Sequence, residues 1–275
     1  MYPEHEKAFF NDKVVVITGS TLGIGLRVAA ELAAMGAHIV LNGRNPERLE
    51  SAAQQIGQAG GRVLAIPGDV ADPASCQRLI EESVASFGRI DILINNAGMN
   101  MWGTVEQSDP HALRRIMDIN FWGATWTTQA ALPHLRQTRG SVLFMSSIAA
   151  FHGLPLNAVY AASKRSLASL AESLRIELHD TGIHVGVAFI GLTETDQEKT
   201  VYDAQGQPIP RPVVSGGPTP QRIEVVTPAI RRMLLRREKQ RVFSGIGRIN
   251  YWVNRLLPGV AHWVLVNNYR KRGDK

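Results

Sequence analysis

The chain has 275 residues, 44% of them apolar and 20% charged, which suits a folded globular protein with a sizeable core and excludes a disordered one. Its single cysteine, Cys76, forms no internal disulfide, and the acidic first thirteen residues do not read as a secretory leader; a reducing, cytoplasmic setting is expected. The net charge of +6 is divided unevenly, since residues 211–275 hold 14 Lys/Arg against 3 Asp/Glu, leaving the first 210 residues at −5.

In chain order, short Val/Ile-rich runs at 14–18, 38–42, 63–67, 90–95, 141–146 and 184–190 alternate with stretches of helical period at 26–36, 46–60 and 73–88. Continuous apolar runs suit strands buried on both faces, and alternation with helices implies βαβ units. The expected fold class is α/β: a doubly wound, mainly parallel Rossmann-type sheet with helices on both faces and a basic helical C-terminal extension. One domain over 1–275 is expected, with its core at about 10–200. Residues 192–222 would form a loop over the substrate, and about 223–275 the extension. The Pro- and Gly-rich stretch 196–222 reads as a binding loop or a disordered insertion. Residues 223–241 look helical, and 246–269 look like an amphipathic terminal segment.

The first strand runs into Thr18-Gly19-Ser20-Thr21-Leu22-Gly23-Ile24-Gly25 and then a helix. Glycines at a strand–helix turn let backbone N–H groups approach a diphosphate, which the helix N-terminus favours. The second strand ends in Asn42-Gly43-Arg44, with no carboxylate to take a ribose 2′-hydroxyl. Arg44 offers a planar cation for a 2′-phosphate, with Gly43 leaving room, so NADP(H) is expected; the bland alternative is a solvated surface charge. Asp69, followed by Val70, is placed to accept from an adenine amino group. Asn96, Ala97 and Gly98 end the fourth strand with small residues at the ligand-binding edge of such a sheet. Asn, Asp and Gly are also common turn residues.

Tyr160 and Lys164 lie four apart on a helix-like stretch and so share a face. An ammonium near a phenol favours the phenolate, which suits the tyrosine to acid/base work near neutral pH. Ser147, at the end of the fifth strand, is able to hold the same substrate oxygen. Alone, such a pair is more often a half-buried aromatic beside a solvated charge.

Together Thr18–Gly25, Asn95–Gly98, Ser147 and the Tyr160-Ala-Ala-Ser-Lys164 segment resemble the short-chain dehydrogenase/reductase family over roughly residues 10–200. The resemblance implies Tyr160 as acid/base, Lys164 also holding the nicotinamide ribose, Ser147 orienting the substrate, and Asn120 completing a proton relay. It implies hydride transfer between NADP(H) and a carbonyl or secondary alcohol, as in a carbonyl reductase or alcohol dehydrogenase. The same fold without turnover would be a nucleotide-binding redox sensor. Where the family has Pro-Gly after the sixth strand, this chain reads Ile190-Gly191-Leu192-Thr193-Glu194-Thr195, so the geometry of the loop beside the nicotinamide is open. Gly191 stays with the cofactor; Thr195 is assigned to the carboxamide, with Thr193 as rival.

Residues 231–241 concentrate arginine, and 246–266 mix Trp252, Leu256, Leu257, Trp263 and Val264 with Arg248 and Arg255. The arginines and Pro258 argue against a spanning helix. Packing over the pocket or against another subunit, in a homo-dimer or tetramer, is expected; peripheral membrane contact is the alternative. No nucleic-acid motif accompanies the charge. The histidines have no metal-ligand spacing, and no Gly-x-Ser-x-Gly turn surrounds Ser147. Trp102, Phe151 and His152 hint at a bulky or apolar substrate.

Overall fold

The computed structural model describes residues 2–58, 61–194, 200–210, 212 and 219–273. The chain opens with α1 (Glu4–Phe10), then β1 (Val14–Ile17), α2 (Gly23–Ala33), β2 (His38–Gly43), α3 (Pro46–Gly57), β3 (Val63–Pro67), α4 (Pro73–Phe87) and β4 (Ile92–Asn95). After β5 (Asn100–Met101) come α5 (Pro110–Met117), a π-helical turn (Asp118–Trp122), α6 (Gly123–Thr138), β6 (Ser141–Ser147) and a 3₁₀ turn (Ile148–Phe151). Then follow α7 (Ala158–Glu177), β7 (His184–Ile190), β8 (Val201–Tyr202), β9 (Pro208–Ile209), α8 (Ile223–Leu235), β10 (Gln240–Val242), α9 (Gly245–Leu256) and α10 (Pro258–Gly273).

Seven parallel strands order as β3-β2-β1-β4-β6-β7-β10, the doubly wound sheet expected from the alternation. Successive side chains of a strand point to opposite faces, and here both faces are covered. Val15, Ile17, Ile39 and Leu41 enter one core with α2 and α8, while Val14, Val16, Val40 and Leu93 enter the other with α4, α6 and α7. That is why the strands read as unbroken apolar runs. The order in which strands are added reverses between β1 and β4, and the crevice beyond their carboxyl ends is where ligands bind in open α/β sheets.

Three expectations are corrected. Residues 223–241 are not one helix: α8 stops at Leu235, Arg237 takes a left-handed φ of 52°, and the chain returns as β10 beside β7. Three-residue edge pairing is decided by the neighbouring strand rather than by local propensity. The loop over 192–222 contains β8 and β9, which join β5 in a small second sheet, and Thr193 bridges Gln221. Two-residue strands are too short to show a period. The third concerns the terminal segment, whose apolar face does not pack inward. Gly247, Tyr251 and Asn254 face the protein, whereas Ile249, Trp252 and Leu256 are exposed. Among the described residues no helix is long and apolar enough to cross a membrane.

Candidate active site

A cleft of about 580 Å³ lies at the carboxyl edge of the sheet, running from Arg44 to Tyr160. Its floor is the turn after β1. Gly19 adopts a φ of +60°, and a Cβ there would come within 2.7 Å of the Ala97 backbone. Gly25 has no room for a Cβ because the Asn96 carboxamide fills that space. That carboxamide donates to the Thr18 and Gly19 carbonyls at 3.0 and 2.7 Å, while Thr18 Oγ1 accepts from the N–H groups of Asn96 and Ala97. The two motifs therefore clamp one another, which explains why each consists of small residues. Gly19, Thr21, Leu22 and Ile24 line the cleft. Ser20 does not; its buried hydroxyl donates to the Ile17 carbonyl at 2.8 Å and accepts from Asn42 N–H, tying β1 to β2. Gly23 and Gly25 are likewise buried behind the wall.

The cleft fits a dinucleotide on its own geometry. Side chains of Asn45, Asp72 and Asp109 cap α3, α4 and α5, but Leu22 at the N-cap of α2 has no side-chain acceptor for the first amides. Those amides face a glycine-floored crevice, the setting a diphosphate takes. At its far end Arg44 is joined by Arg48, in the first turn of α3; both line the cleft. Arg48 escaped the sequence reading because it belongs to a helix with its own surface pattern. Gly43 lines the cleft too, and the space its missing side chain leaves is taken by Thr21 Cγ2. Asp69 accepts from Ala71 N–H at 3.0 Å and pairs with Arg115, so its carboxylate is partly committed before any adenine arrives. Val70 is buried but reaches the wall, as do Ala97 and Gly98.

At the other end Ser147, Tyr160 and Lys164 line the same cleft. Ser147 closes β6 and its Oγ accepts from Ala149 N–H at 3.2 Å, leaving the hydroxyl hydrogen to turn toward the cleft. Tyr160 and Lys164 project from the first two turns of α7, with the ammonium 5.8 Å from the ring centroid. Lys164 is buried, and its Nζ donates to the Met145 carbonyl at 3.0 Å. Gly98 keeps the space beside this ammonium open; a Cβ there would lie 3.3 Å from Nζ and 3.5 Å from Asn120 Oδ1.

Asn120 lies in the π-helical turn between α5 and α6 and is 1% exposed, against the usual surface position of a helical asparagine. Its carboxamide accepts from Met99 N–H at 2.7 Å and donates to the Met99 carbonyl and Ser163 Oγ at 3.0 and 2.9 Å. Its side chain pins the β4–β5 connection to α7 and does not itself line the cleft. Ile190 ends β7 in register with Ser147, so the strand continues regularly where the proline was expected. Gly191 lines the cleft; Thr193 is 1% exposed and sits behind it at the Gln221 bridge. Thr195 lies outside the described residues.

The apolar side chains of Met99, Met145, Ile190 and Val201, with Tyr202, also line the cleft. Of the aromatics expected near the substrate, Trp102, Phe151 and His152 are not among the residues lining the cleft: Phe151 packs between Phe189 and Tyr251, and His152 is held by Asn250. Cys76 is buried away from the cleft, and burial pushes its thiol up. Among the described residues no cluster of His, Cys, Asp or Glu is set to hold a metal.

A family model described as short chain dehydrogenase matches residues 13–206. A protein named 11-beta-hydroxysteroid dehydrogenase-like 3 from Arabidopsis thaliana is 42% identical over 191 residues, covering 67% of this chain and 60% of its own length. One named 11-beta-hydroxysteroid dehydrogenase A from Sesamum indicum is 33% identical over 260 residues, covering 92% of this chain and 74% of its own. The chain thus spans about three fifths of the length of several curated relatives it matches. A dehydrogenase/reductase from Sinorhizobium meliloti superposes with a TM-score of 0.74 at 26% identity, covering 86% of this chain and 95% of that one. An archaeal alcohol dehydrogenase from Thermococcus sibiricus, solved with 5-hydroxy-NADP, shares the fold with a TM-score of 0.72 at 24% identity, covering 84% and 96%.

Proposed function

Since the chain belongs to the short-chain dehydrogenase/reductase family, we propose that it is an oxidoreductase using NADP(H) on a bulky, apolar carbonyl or secondary alcohol. The observation that carries this is the single cleft shared by Arg44 and Arg48 at one end and by Ser147, Tyr160 and Lys164 at the other. When bound, the nicotinamide supplies or accepts the hydride.

The chain's own residues do the rest. Gly19, Leu22 and Ile24 hold the diphosphate against the N-terminus of α2, and Arg44 with Arg48 takes the 2′-phosphate. Ser147 donates to the substrate oxygen and holds it toward Tyr160. In the reducing direction the Tyr160 hydroxyl gives its proton to that oxygen, and the ammonium of Lys164 steadies the negative charge left behind. Oxidation runs the same transfer backward. The apolar side chains of Met99, Met145, Ile190 and Val201, with Tyr202, suit a fused-ring or similarly bulky substrate, in keeping with the names of the plant relatives.

Replacing Tyr160→Phe tests the assignment. The turnover of ketone or steroid substrates should fall by about 10²–10⁴-fold. NADPH affinity should stay within a few-fold of the parent. Unchanged turnover would remove Tyr160 from the chemistry, and a parent chain that binds NADPH but turns over none of a panel of ketones, steroids and sugars would favour the silent sensor.

A further inference from the structure

Helix α9 has its polar face toward the protein and its apolar face toward solvent. Gly247, Asn250, Tyr251 and Asn254 share one side on a 3.6-residue period. Asn250 donates to His152 Nε2 at 2.9 Å, the Tyr251 ring stands edge-on to Phe151 at 5.1 Å, and Gly247 leaves room for Ile148 and Val242. On the outer side Ile246, Ile249, Trp252 and Leu256 are 64, 66, 56 and 67% exposed. Helix α10 follows directly after Leu257 and exposes Val260, Trp263 and Val264 by 49, 65 and 41%. A soluble domain does not leave an aliphatic and tryptophan-rich face this large in water without a partner.

Charge selects the partner. From 245 to 273 the sequence holds Arg248, Arg255, Arg270, Lys271 and Arg272 and no Asp or Glu. Arg248 and Arg255 are exposed among the apolar side chains of α9. A two-fold contact between copies would join two such patches, and with no carboxylate in 245–273 neither could supply a counter-charge to the other's arginines. An anionic lipid surface supplies both needs: acyl chains for the tryptophans and aliphatics, and phosphates for the arginines. Trp and Tyr favour that boundary because each has an apolar body and a polar tip. Neither helix is long and apolar enough to span a bilayer, which leaves lying in its interface.

We infer that α9 and α10 together are a peripheral docking element for anionic membrane surfaces. It does not depend on the hydride chemistry proposed above. Its position connects the two, however: Ile148 lies between Gly247 on the inner face of α9 and Gly191 of the cleft wall, so the helix is one side chain from the cleft.

The test is flotation of the full chain with vesicles of phosphatidylcholine alone or mixed with phosphatidylglycerol, at low salt. The chain should float with the mixed vesicles, with partition at least about tenfold weaker onto phosphatidylcholine alone. A Trp252→Glu/Trp263→Glu variant should stay at the bottom while keeping its circular dichroism, NADPH affinity and mass by light scattering. Arg248→Glu/Arg255→Glu should remove the preference for phosphatidylglycerol. A parent chain that floats with neither vesicle, or a tryptophan variant that floats as well as the parent, would overturn the inference. So would equal partition onto both vesicles. An oligomer that the tryptophan variant splits would show instead that a second copy covers this face.

Discussion

At the scale of single residues, Arg44 and His184 show how the same physics acts in a site and in a core. Arg44 lies at the open end of the cleft, where the only gain from a guanidinium is what it binds. A charge-assisted bond to a 2′-phosphate contributes about 1.5–3 kcal/mol, so Arg44→Ala should weaken NADPH binding about 10–100-fold and leave NADH nearly unchanged. Titration calorimetry with both nucleotides checks this; a parent chain preferring NADH would refute the NADP(H) assignment. His184 is buried in β7, with Nε2 meeting the Glu238 carbonyl at 2.9 Å. Burial lowers its proton affinity below the ordinary histidine value, the Glu238 carbonyl opposes that, and Arg237 and Arg175 add to the lowering. Above about pH 6.5 both folded and unfolded chains are neutral there, and the full stability is present. As pH falls through that value the unfolded chain takes the proton first, so stability drops. Urea midpoints at about pH 7.5 and 5.5 should therefore diverge more for the parent chain than for His184→Gln; an equal loss in both would assign the acid sensitivity elsewhere.

At the scale of elements, helices α1, α2 and α8 are keyed together by one buried cation. Arg231 of α8 donates to Glu6 of α1 at 2.8 Å and pairs with Glu31 of α2, whose other oxygen accepts from Thr227 at 2.7 Å. All three charged side chains are nearly sealed from water. Removing the cation leaves two buried carboxylates without it, so Arg231→Met should destabilise the fold by about 3–5 kcal/mol in urea unfolding. Adding Glu6→Gln and Glu31→Gln should recover part of that loss; no recovery would mean that packing, not charge, made the difference. The π-helical turn at Asp118–Trp122 is the element that brings Asn120 inward, and irregular helical turns of this kind recur at functional sites. Nothing in Asp-Ile-Asn-Phe-Trp announces it, because a π turn depends on which side chains the neighbouring helices receive.

At the scale of the molecule, the cleft is assembled from both halves of the sheet: Gly19, Arg44 and Asp69 from one side of the crossover, and Ser147, Tyr160 and Gly191 from the other. A ligand that binds such a cleft binds only the folded chain. NADPH at a hundred times its dissociation constant should add about 2.7 kcal/mol and raise Tm by about 5–10 °C in scanning calorimetry, with NADH at the same concentration doing less. No shift with either nucleotide would show that the crevice holds no dinucleotide.

The strands, the glycine turn and the order of the site motifs were legible in the sequence because each rests on local chemistry. A strand buried on both faces must be continuously apolar, and a turn where backbone meets backbone must be glycine. The helical spacing of Tyr160 and Lys164 was equally local, and their shared cleft follows once α7 lies on β6. What only tertiary structure decided involves partners distant in the chain. The pairing of β10 with β7, the withdrawal of Ser20 and Thr193 behind the wall, Arg115 on Asp69, and Arg48 beside Arg44 were each settled by a neighbour that no periodicity encodes. The same holds for α9. Its amphipathic pattern was plain in the sequence, but a period specifies two faces without saying which one meets the protein. That choice fell to His152 and Phe151, which take the polar face and leave Trp252 and Leu256 outward.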